Sequence, residues 1–120
     1  MAIVSVEQLN DLIMFNGFEQ RFADPENCNY TFTRPSKALE GVPCTLELYV
    51  ANDMSKEPTE IHMTMFACQN ETQNRGLLLD MTVTPDKIDK KFVEDYISGS
   101  ELKLGVEGAD IFPNVNEHSR

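Results

Sequence analysis

The stretch Glu60–Cys68, which reads EIHMTMFAC, decides the fold. Its side chains fall into two alternating sets, with Ile61, Met63, Met65 and Ala67 in the first and His62, Thr64, Phe66 and Cys68 in the second. Alternation with a period of two predicts a β-strand, because successive side chains point to opposite faces of a sheet. We place the first set inward; the reverse assignment would change the composition of the other face.

Four further segments alternate in the same way and are predicted as strands: 28–33, 45–50, 77–84 and 102–107. In the last of these, Leu102, Leu104 and Val106 alternate with charged residues. Short polar links rich in turn-forming residues join the middle strands, which predicts that they run antiparallel.

Two helices are predicted, one before the middle strands in the sequence and one after them. Ser5 and Gln8 have the spacing of a capping box for the first helix, and Asn16-Gly17 gives it a left-handed end. Thr84-Pro85-Asp86 opens the second helix, and Ser98-Gly99 ends it.

The resulting order, α-β-β-β-β-α-β, predicts a single α+β domain over residues 1–120, with 108–120 as a loosely packed tail. Two amphipathic helices cover only one face of an antiparallel sheet of about five strands, so the expected architecture has two layers and a partly open face. The outward residues of the strands are predicted to line that face: Glu47, Tyr49, His62, Thr64, Phe66, Leu78, Asp80, Lys103 and Glu107. Aromatic residues set in a polar surface are typical of recognition surfaces, although ordinary cross-strand pairs give the same pattern.

The chain is acidic, with 20 Asp and Glu against 10 Lys and Arg and a formal net charge of −10. Direct nucleic-acid binding is disfavoured because its affinity comes mainly from basic side chains at phosphates. An acidic surface suits a basic protein partner instead, and DNA mimicry is the extreme form of this hypothesis. Evenly spread carboxylates place only about two or three in a standard interface, whereas DNA-binding proteins engage about 6–10 phosphates.

The sequence contains no recognisable catalytic, cofactor-binding or metal-binding motif, so we predict no enzyme activity, no cofactor and no metal site. Asp80 is the best single catalytic candidate, but it has no identifiable partner. A zinc site from His62 and Cys68 is rejected because the two lie about 20 Å apart along one strand. The other histidine, His118, is three residues from the end, and the three cysteines have neither disulfide nor metal spacing.

The first hypothesis is therefore a non-catalytic, acidic protein-binding module, such as an inhibitor, an immunity protein or a phage-type antagonist. Its expected binding residues are Glu47, Tyr49, His62, Thr64, Phe66, Asp80 and Glu107. The N-terminus shows no signal-peptide pattern and no apolar run reaches membrane-spanning length, which predicts a cytoplasmic protein with no membrane contact. The expected oligomeric state is a monomer or a homodimer. Two alternatives remain: a secretion-chaperone-like dimer that binds an extended peptide by strand addition, and a small-ligand-binding domain.

Overall fold

Five antiparallel strands form one sheet in chain order in the computed structural model, which describes residues 6–53, 55–57 and 59–112. The strands are β1 (Glu19–Asp24), β2 (Asn29–Ser36), β3 (Cys44–Asp53), β4 (Glu60–Gln69) and β5 (Arg75–Val83). Each strand pairs with its neighbour in the sequence, so β1 and β5 are the two edges of the sheet. The predicted capping residue Ser5 and the histidine His118 lie outside the described residues.

Helix α1 (Val6–Phe15) precedes the sheet and helix α2 (Lys90–Ile111) follows it. Leu9 and Ile13 of α1 and Val93 and Leu104 of α2 are fully buried. They belong to one core cluster with the apolar side chains of one sheet face, which we call the inner face: Tyr30, Phe32, Leu46, Leu48, Val50, Ile61, Met63, Met65, Ala67 and Leu78. The opposite side of the sheet is the outer face.

The predicted α+β class, with a five-stranded antiparallel sheet and two helices, is confirmed. The positions of two segments differ from the prediction. Gly17, at φ +90°, follows the end of α1 as the Asn16-Gly17 pair predicts. The four-residue spacing of Phe18 and Phe22 predicts one more helical turn after this end, but Glu19–Asp24 forms β1 instead. Residues 102–107, predicted as the fifth strand, lie within α2.

Helix α2 continues through Ser98-Gly99 because its buried stripe runs on beyond them. The buried positions are Val93, Tyr96, Ile97, Ser100, Leu104 and Gly108, at the three- and four-residue spacings of a helix. The lack of a side chain at Gly108 lets α2 approach Leu39 closely, since a Cβ there would lie 2.8 Å from the leucine side chain. The alternation of Leu102, Leu104 and Val106 that predicts a strand is therefore coincidental.

The start of α2 agrees only in part with the helix start predicted at Thr84-Pro85-Asp86. Thr84-Pro85 opens a short 3₁₀ turn over Pro85–Lys87, and α2 itself begins one turn later. Asp89 caps it by accepting a hydrogen bond from the backbone N–H of Phe92 at 2.8 Å. At the other end, residues 108–111 form the last turn of α2, which corrects the predicted loose tail there. Phe112 is fully buried, and residues 113–120 of the predicted tail lie outside the described residues.

Arg34 holds the three elements together at one end of the inner face. Its guanidinium forms an ion pair with Glu101 of α2 and donates a hydrogen bond at 2.8 Å to the carbonyl of Asn16, just after α1. The same group stacks 5.1 Å from the ring centre of Phe18. Both helices are thereby fixed on the inner side of the sheet, and neither packs on the outer face.

Candidate functional site

The outer face carries six of the seven predicted binding residues side by side. The β3–β4 register pairs Glu47 with Phe66 and Tyr49 with Thr64, and the β4–β5 register pairs Thr64 with Asp80. His62 lies two residues before Thr64 on the same strand. Tyr49 is 36% exposed, so this face is open to solvent in the part of the chain that the structure describes. Three central strands thus support a continuous surface on rigid backbone.

Glu107 is not part of this surface. It lies on α2, exposed to solvent on the opposite side of the sheet from the outer face. Lys103, which was also expected on the outer face, lies one helical turn earlier on α2. Both expectations were wrong for the same reason, because they depended on a strand at 102–107 that is helical.

A bulge in β5 also changes one outward residue. The β4–β5 register shifts between Met65 and Phe66, so Leu79 lies opposite Met65 but Leu77 lies opposite Phe66. The extra residue, Leu78, is 1% exposed and packs in the core, whereas Leu77 is 49% exposed. Strict alternation predicts Leu77 inward and Leu78 outward, and both predictions are wrong because a period of two does not continue through a bulge.

One half of the outer face is organised around Arg75, at the start of β5. Its guanidinium pairs with the Glu47 carboxylate at 2.9 Å and donates a hydrogen bond to the Tyr49 hydroxyl at 2.8 Å. It also lies 4.7 Å from the ring centre of Phe66, and the Tyr49 and Phe66 rings meet edge to face at 5.7 Å. The charge of Glu47 is therefore neutralised within the protein. We call this group of four residues the arginine cluster.

Arg75 is absent from the predicted binding residues because the polar stretch 69–75 predicts a loop. Even with β5 correctly placed, strict alternation would have grouped Arg75 with Leu77 and Leu79 on the inner face. The signal that could have corrected this is the run Leu77-Leu78-Leu79, in which three consecutive apolar residues break the alternation. Such a run at a strand position favours a bulge.

The other half of the outer face is acidic. Asp53, Glu60 and Asp80 lie here, and within the described residues none of them forms an ion pair with a lysine or arginine. Asp80 accepts a hydrogen bond from the Thr64 hydroxyl at 3.1 Å. Hydrogen bonds from the hydroxyl and the backbone N–H of Ser55 lower the pKa of Asp53, which keeps it charged. We call these three carboxylates the acidic half.

His62 lies between the carboxylates of the acidic half. Its Nδ1 shares a hydrogen bond of 2.8 Å with the hydroxyl of Thr82, the residue opposite it on β5. Ligand atoms of Asp53, Glu60 and His62 all lie within 4.8 Å of one another. This group is not predictable from the sequence alone, because Asp53 comes next to Glu60 and His62 only through the β3–β4 register.

A shallow groove of about 260 Å³ crosses the outer face from β1 to β4. Phe22, which is 53% exposed, forms one side of it, and Tyr49, His62 and Thr64 lie on the other side. Pockets for drug-sized ligands usually occupy about 300–1,000 Å³ and enclose most of the ligand. The groove is smaller than this range, so its shape suits a protruding side chain better than a small molecule.

The two buried cysteines are poorly suited to nucleophilic chemistry. Burial raises the pKa of the Cys44 thiol and of the Cys68 thiol, which keeps both protonated. Cys44 lies 1% exposed in the core, and Cys68 is 7% exposed.

No family model, curated protein or solved structure matches this chain. Among the described residues, neither helix is both long enough and apolar enough to cross a lipid bilayer. Within the described residues, the outer face combines an acidic half without lysine or arginine partners, aromatic rings beside it, and a shallow groove between Phe22 and Tyr49.

Proposed function

We propose that this protein is a non-catalytic binding module that recognises a basic surface of another protein through its outer face. The observation that carries the proposal is the separation of charge on that face. Asp53, Glu60 and Asp80 have no basic partner among the described residues, whereas Glu47 is neutralised by Arg75. Unpaired carboxylates on one side of a surface attract and orient a basic partner.

Aromatic side chains next to the acidic half supply apolar contact area. Within the arginine cluster, the rings of Tyr49 and Phe66 contact each other, and the Arg75 guanidinium lies over the Phe66 ring. Phe22 lines one side of the groove. Tyrosine and arginine are enriched among the residues that dominate binding energy, and a tyrosine buries a large area with little loss of conformational freedom. An acidic rim next to preorganised aromatic rings is a suitable surface for a lysine- or arginine-rich partner.

The number of carboxylates favours an ordinary protein interface over a DNA-like one. Among the described residues, four outer-face carboxylates have no lysine or arginine partner: Asp24, Asp53, Glu60 and Asp80. DNA-binding proteins engage about 6–10 phosphates, so a mimic needs roughly one and a half times as many or more. The proposed role is therefore that of an inhibitor, immunity protein or antagonist that covers a basic surface, acting in the cytoplasm as a monomer or homodimer.

A second candidate is binding of an extended peptide by strand addition at β1. β1 is an edge strand, and five of its six residues are exposed. A bulge between Gln20 and Phe22 interrupts its hydrogen-bonding edge, and Glu19 and Arg21 place charges along it. Bulges and charges are the features by which edge strands avoid pairing with other chains, so we rank this candidate second.

The proposal is tested by comparing two charge reversals, Asp80→Lys on the outer face and Glu107→Lys on α2. Both residues are exposed, and each substitution changes the net charge by the same amount. Tagged wild-type protein is used to capture partners from the host lysate at about 50 mM and about 500 mM NaCl, since salt screens exposed charges. Affinities of the captured protein for both variants are then measured.

We expect a basic partner that is retained at low salt and lost at high salt. Asp80→Lys should weaken its binding by about 100-fold or more, because like charges facing one another across an interface cost several kcal/mol. Glu107→Lys should leave the affinity within about threefold. Equal loss in both variants would attribute the binding to net charge alone, and equal retention would place the interface elsewhere; either result contradicts the proposal. Circular dichroism checks that both variants fold.

A further inference from the structure

We propose that Asp53, Glu60 and His62 form a binding site for a divalent transition-metal ion, with Zn²⁺ as the best-suited ion. The site lies where β3 ends and β4 begins, on the outer face. The site shares Asp53 and Glu60 with the acidic half, so a bound Zn²⁺ would neutralise two of its three carboxylates. Metal binding is measured without any protein partner, so its test is independent of the proposed function.

The β3–β4 hairpin brings the three ligands together on regular backbone. Asp53 lies directly opposite Glu60, and His62 follows Glu60 by two residues, so all three side chains share the outer face. Their ligand atoms lie within 4.8 Å of one another. A tetrahedral zinc ion with bonds of about 2.1 Å holds its ligand atoms about 3.4 Å apart. Rotations about side-chain bonds can close this difference while the strands stay in place.

Thr82 supports His62 from a third strand. Its hydroxyl shares the 2.8 Å hydrogen bond with Nδ1 of His62, which fixes the orientation of the ring. Histidines that bind metals almost always have their other ring nitrogen engaged in such a hydrogen bond. In the tautomer whose Nδ1–H donates to the Thr82 hydroxyl, Nε2 carries the lone pair that a metal would take. Thr82 lies outside the group of three ligands, so this contact is a separate observation in favour of the site.

The Asp53 carboxylate is also oriented by hydrogen bonds from a residue outside the group of three ligands. Both hydrogen bonds from Ser55, at 3.0 Å from its N–H and 2.5 Å from its hydroxyl, go to Oδ1 of Asp53. They orient the carboxylate and leave Oδ2, which accepts neither of these bonds, as the oxygen that a metal would take. Two carboxylates and one neutral imidazole match the charge of a dication. The imidazole favours Zn²⁺, Co²⁺ and Ni²⁺ over Mg²⁺ and Ca²⁺, which prefer oxygen ligands alone.

The test is isothermal titration of the metal-free full chain with ZnCl₂ in a buffer that does not chelate metals. We expect one ion per chain, and a loss of affinity of about tenfold or more in each of Asp53→Asn, Glu60→Gln and His62→Gln. Thr82→Val should also weaken binding, by about tenfold, because it removes the support of the ring. These residues are at least partly exposed, so folded variants are expected, and circular dichroism checks this.

Two matched controls separate this site from other ligands. Glu57→Gln removes an exposed carboxylate from the same hairpin, and His118→Gln removes the other histidine. Both should bind Zn²⁺ like the wild type. The proposal is overturned by an absence of binding up to about 1 mM Zn²⁺, by unchanged affinity in the three ligand variants, or by a loss in His118→Gln as large as in His62→Gln. Equal affinity for Mg²⁺ would also overturn it, because that result would show only attraction between opposite charges.

Discussion

The Tyr96 hydroxyl ties α2 to the sheet at a single buried point. It donates a hydrogen bond to the carbonyl of Met63 on β4 at 3.0 Å and lies 3.2 Å from the carbonyl of Leu79 on β5. Leu79 immediately follows the bulge, where the ladder between the two strands is interrupted. The side chain is 4% exposed, and this burial raises the pKa of the Tyr96 phenol.

Replacing Tyr96 with phenylalanine should therefore have an effect that depends on pH. At pH 8, Tyr96→Phe should lower the free energy of unfolding by about 1 kcal/mol, the usual net contribution of one hydrogen bond. Unfolded tyrosine loses its proton near pH 10, but the folded group holds its proton to higher pH. The wild type thus loses stability as the pH rises above about 10, by up to about 1.4 kcal/mol per pH unit, and the variant escapes this loss.

Urea unfolding of both proteins at pH 8, 9, 10 and 11 measures the difference between them. We expect the difference to be constant from pH 8 to pH 9 and to shrink above pH 10. A difference that stays the same up to pH 11 would contradict the buried, protonated state of Tyr96. Far-ultraviolet circular dichroism at each pH checks that both proteins begin in the folded state.

At the scale of single elements, α2 gives a direct test of helix against strand over residues 102–107. A strand would place Leu102, Leu104 and Val106 on one face with similar burial. In α2, Leu104 is fully buried, whereas Leu102 is 69% and Val106 is 74% exposed. Leu104→Ala should lower the free energy of unfolding by about 2–5 kcal/mol, because it removes a core side chain and leaves a cavity.

Leu102→Ala is the matched control, since it makes the same chemical change on the exposed side of α2. We expect it to change the free energy of unfolding by no more than about 0.5 kcal/mol. Urea denaturation of both variants decides between the alternatives. Similar losses of stability at the two positions would indicate a strand and would contradict the helical assignment.

The elements that the sequence predicted well are those whose burial pattern agrees with one period throughout. β3 alternates from Cys44 to Val50 and β4 from Glu60 to Ala67, and their outward residues, from Glu47 to Phe66, lie where the pattern placed them. The predictions were wrong where a local irregularity changed the period. Leu78 forms a bulge, and Ser100 and Gly108 occupy buried helical positions that hydrophobicity alone does not mark.

The candidate site was predictable only in part for a related reason. Residues on one strand, such as His62 and Thr64, can be assigned to a face from their spacing alone. The arginine cluster and the group of Asp53, Glu60 and His62 each combine side chains from two or three strands. Their contacts depend on the register between strands, which the hairpin geometry sets and which a single sequence does not reveal.

At the scale of the whole molecule, the excess of acidic residues is the dominant electrostatic property. There are 20 acidic and 10 basic side chains, and the ion pairs of Arg21 and Lys91 in the described residues join largely exposed groups. Exposed pairs contribute little to stability, whereas a net charge of −10 produces repulsion across the compact molecule. The acidic half of the outer face concentrates part of this repulsion where the partner is proposed to bind.

Salt should therefore act on the free protein and on its complex in opposite directions. Raising NaCl from about 10 mM to about 200 mM should increase the melting temperature of the free protein by a few degrees, because screening weakens the repulsion. The same change should weaken the complex with a basic partner, since screening removes the attraction across the interface. Scanning calorimetry of the free chain and titration of the partner over one series of salt concentrations measure both effects.

A melting temperature that falls with salt would mean that attractive pairs such as Arg34–Glu101 outweigh the repulsion. An affinity that does not change with salt would assign the interface to the aromatic rings rather than to the acidic half.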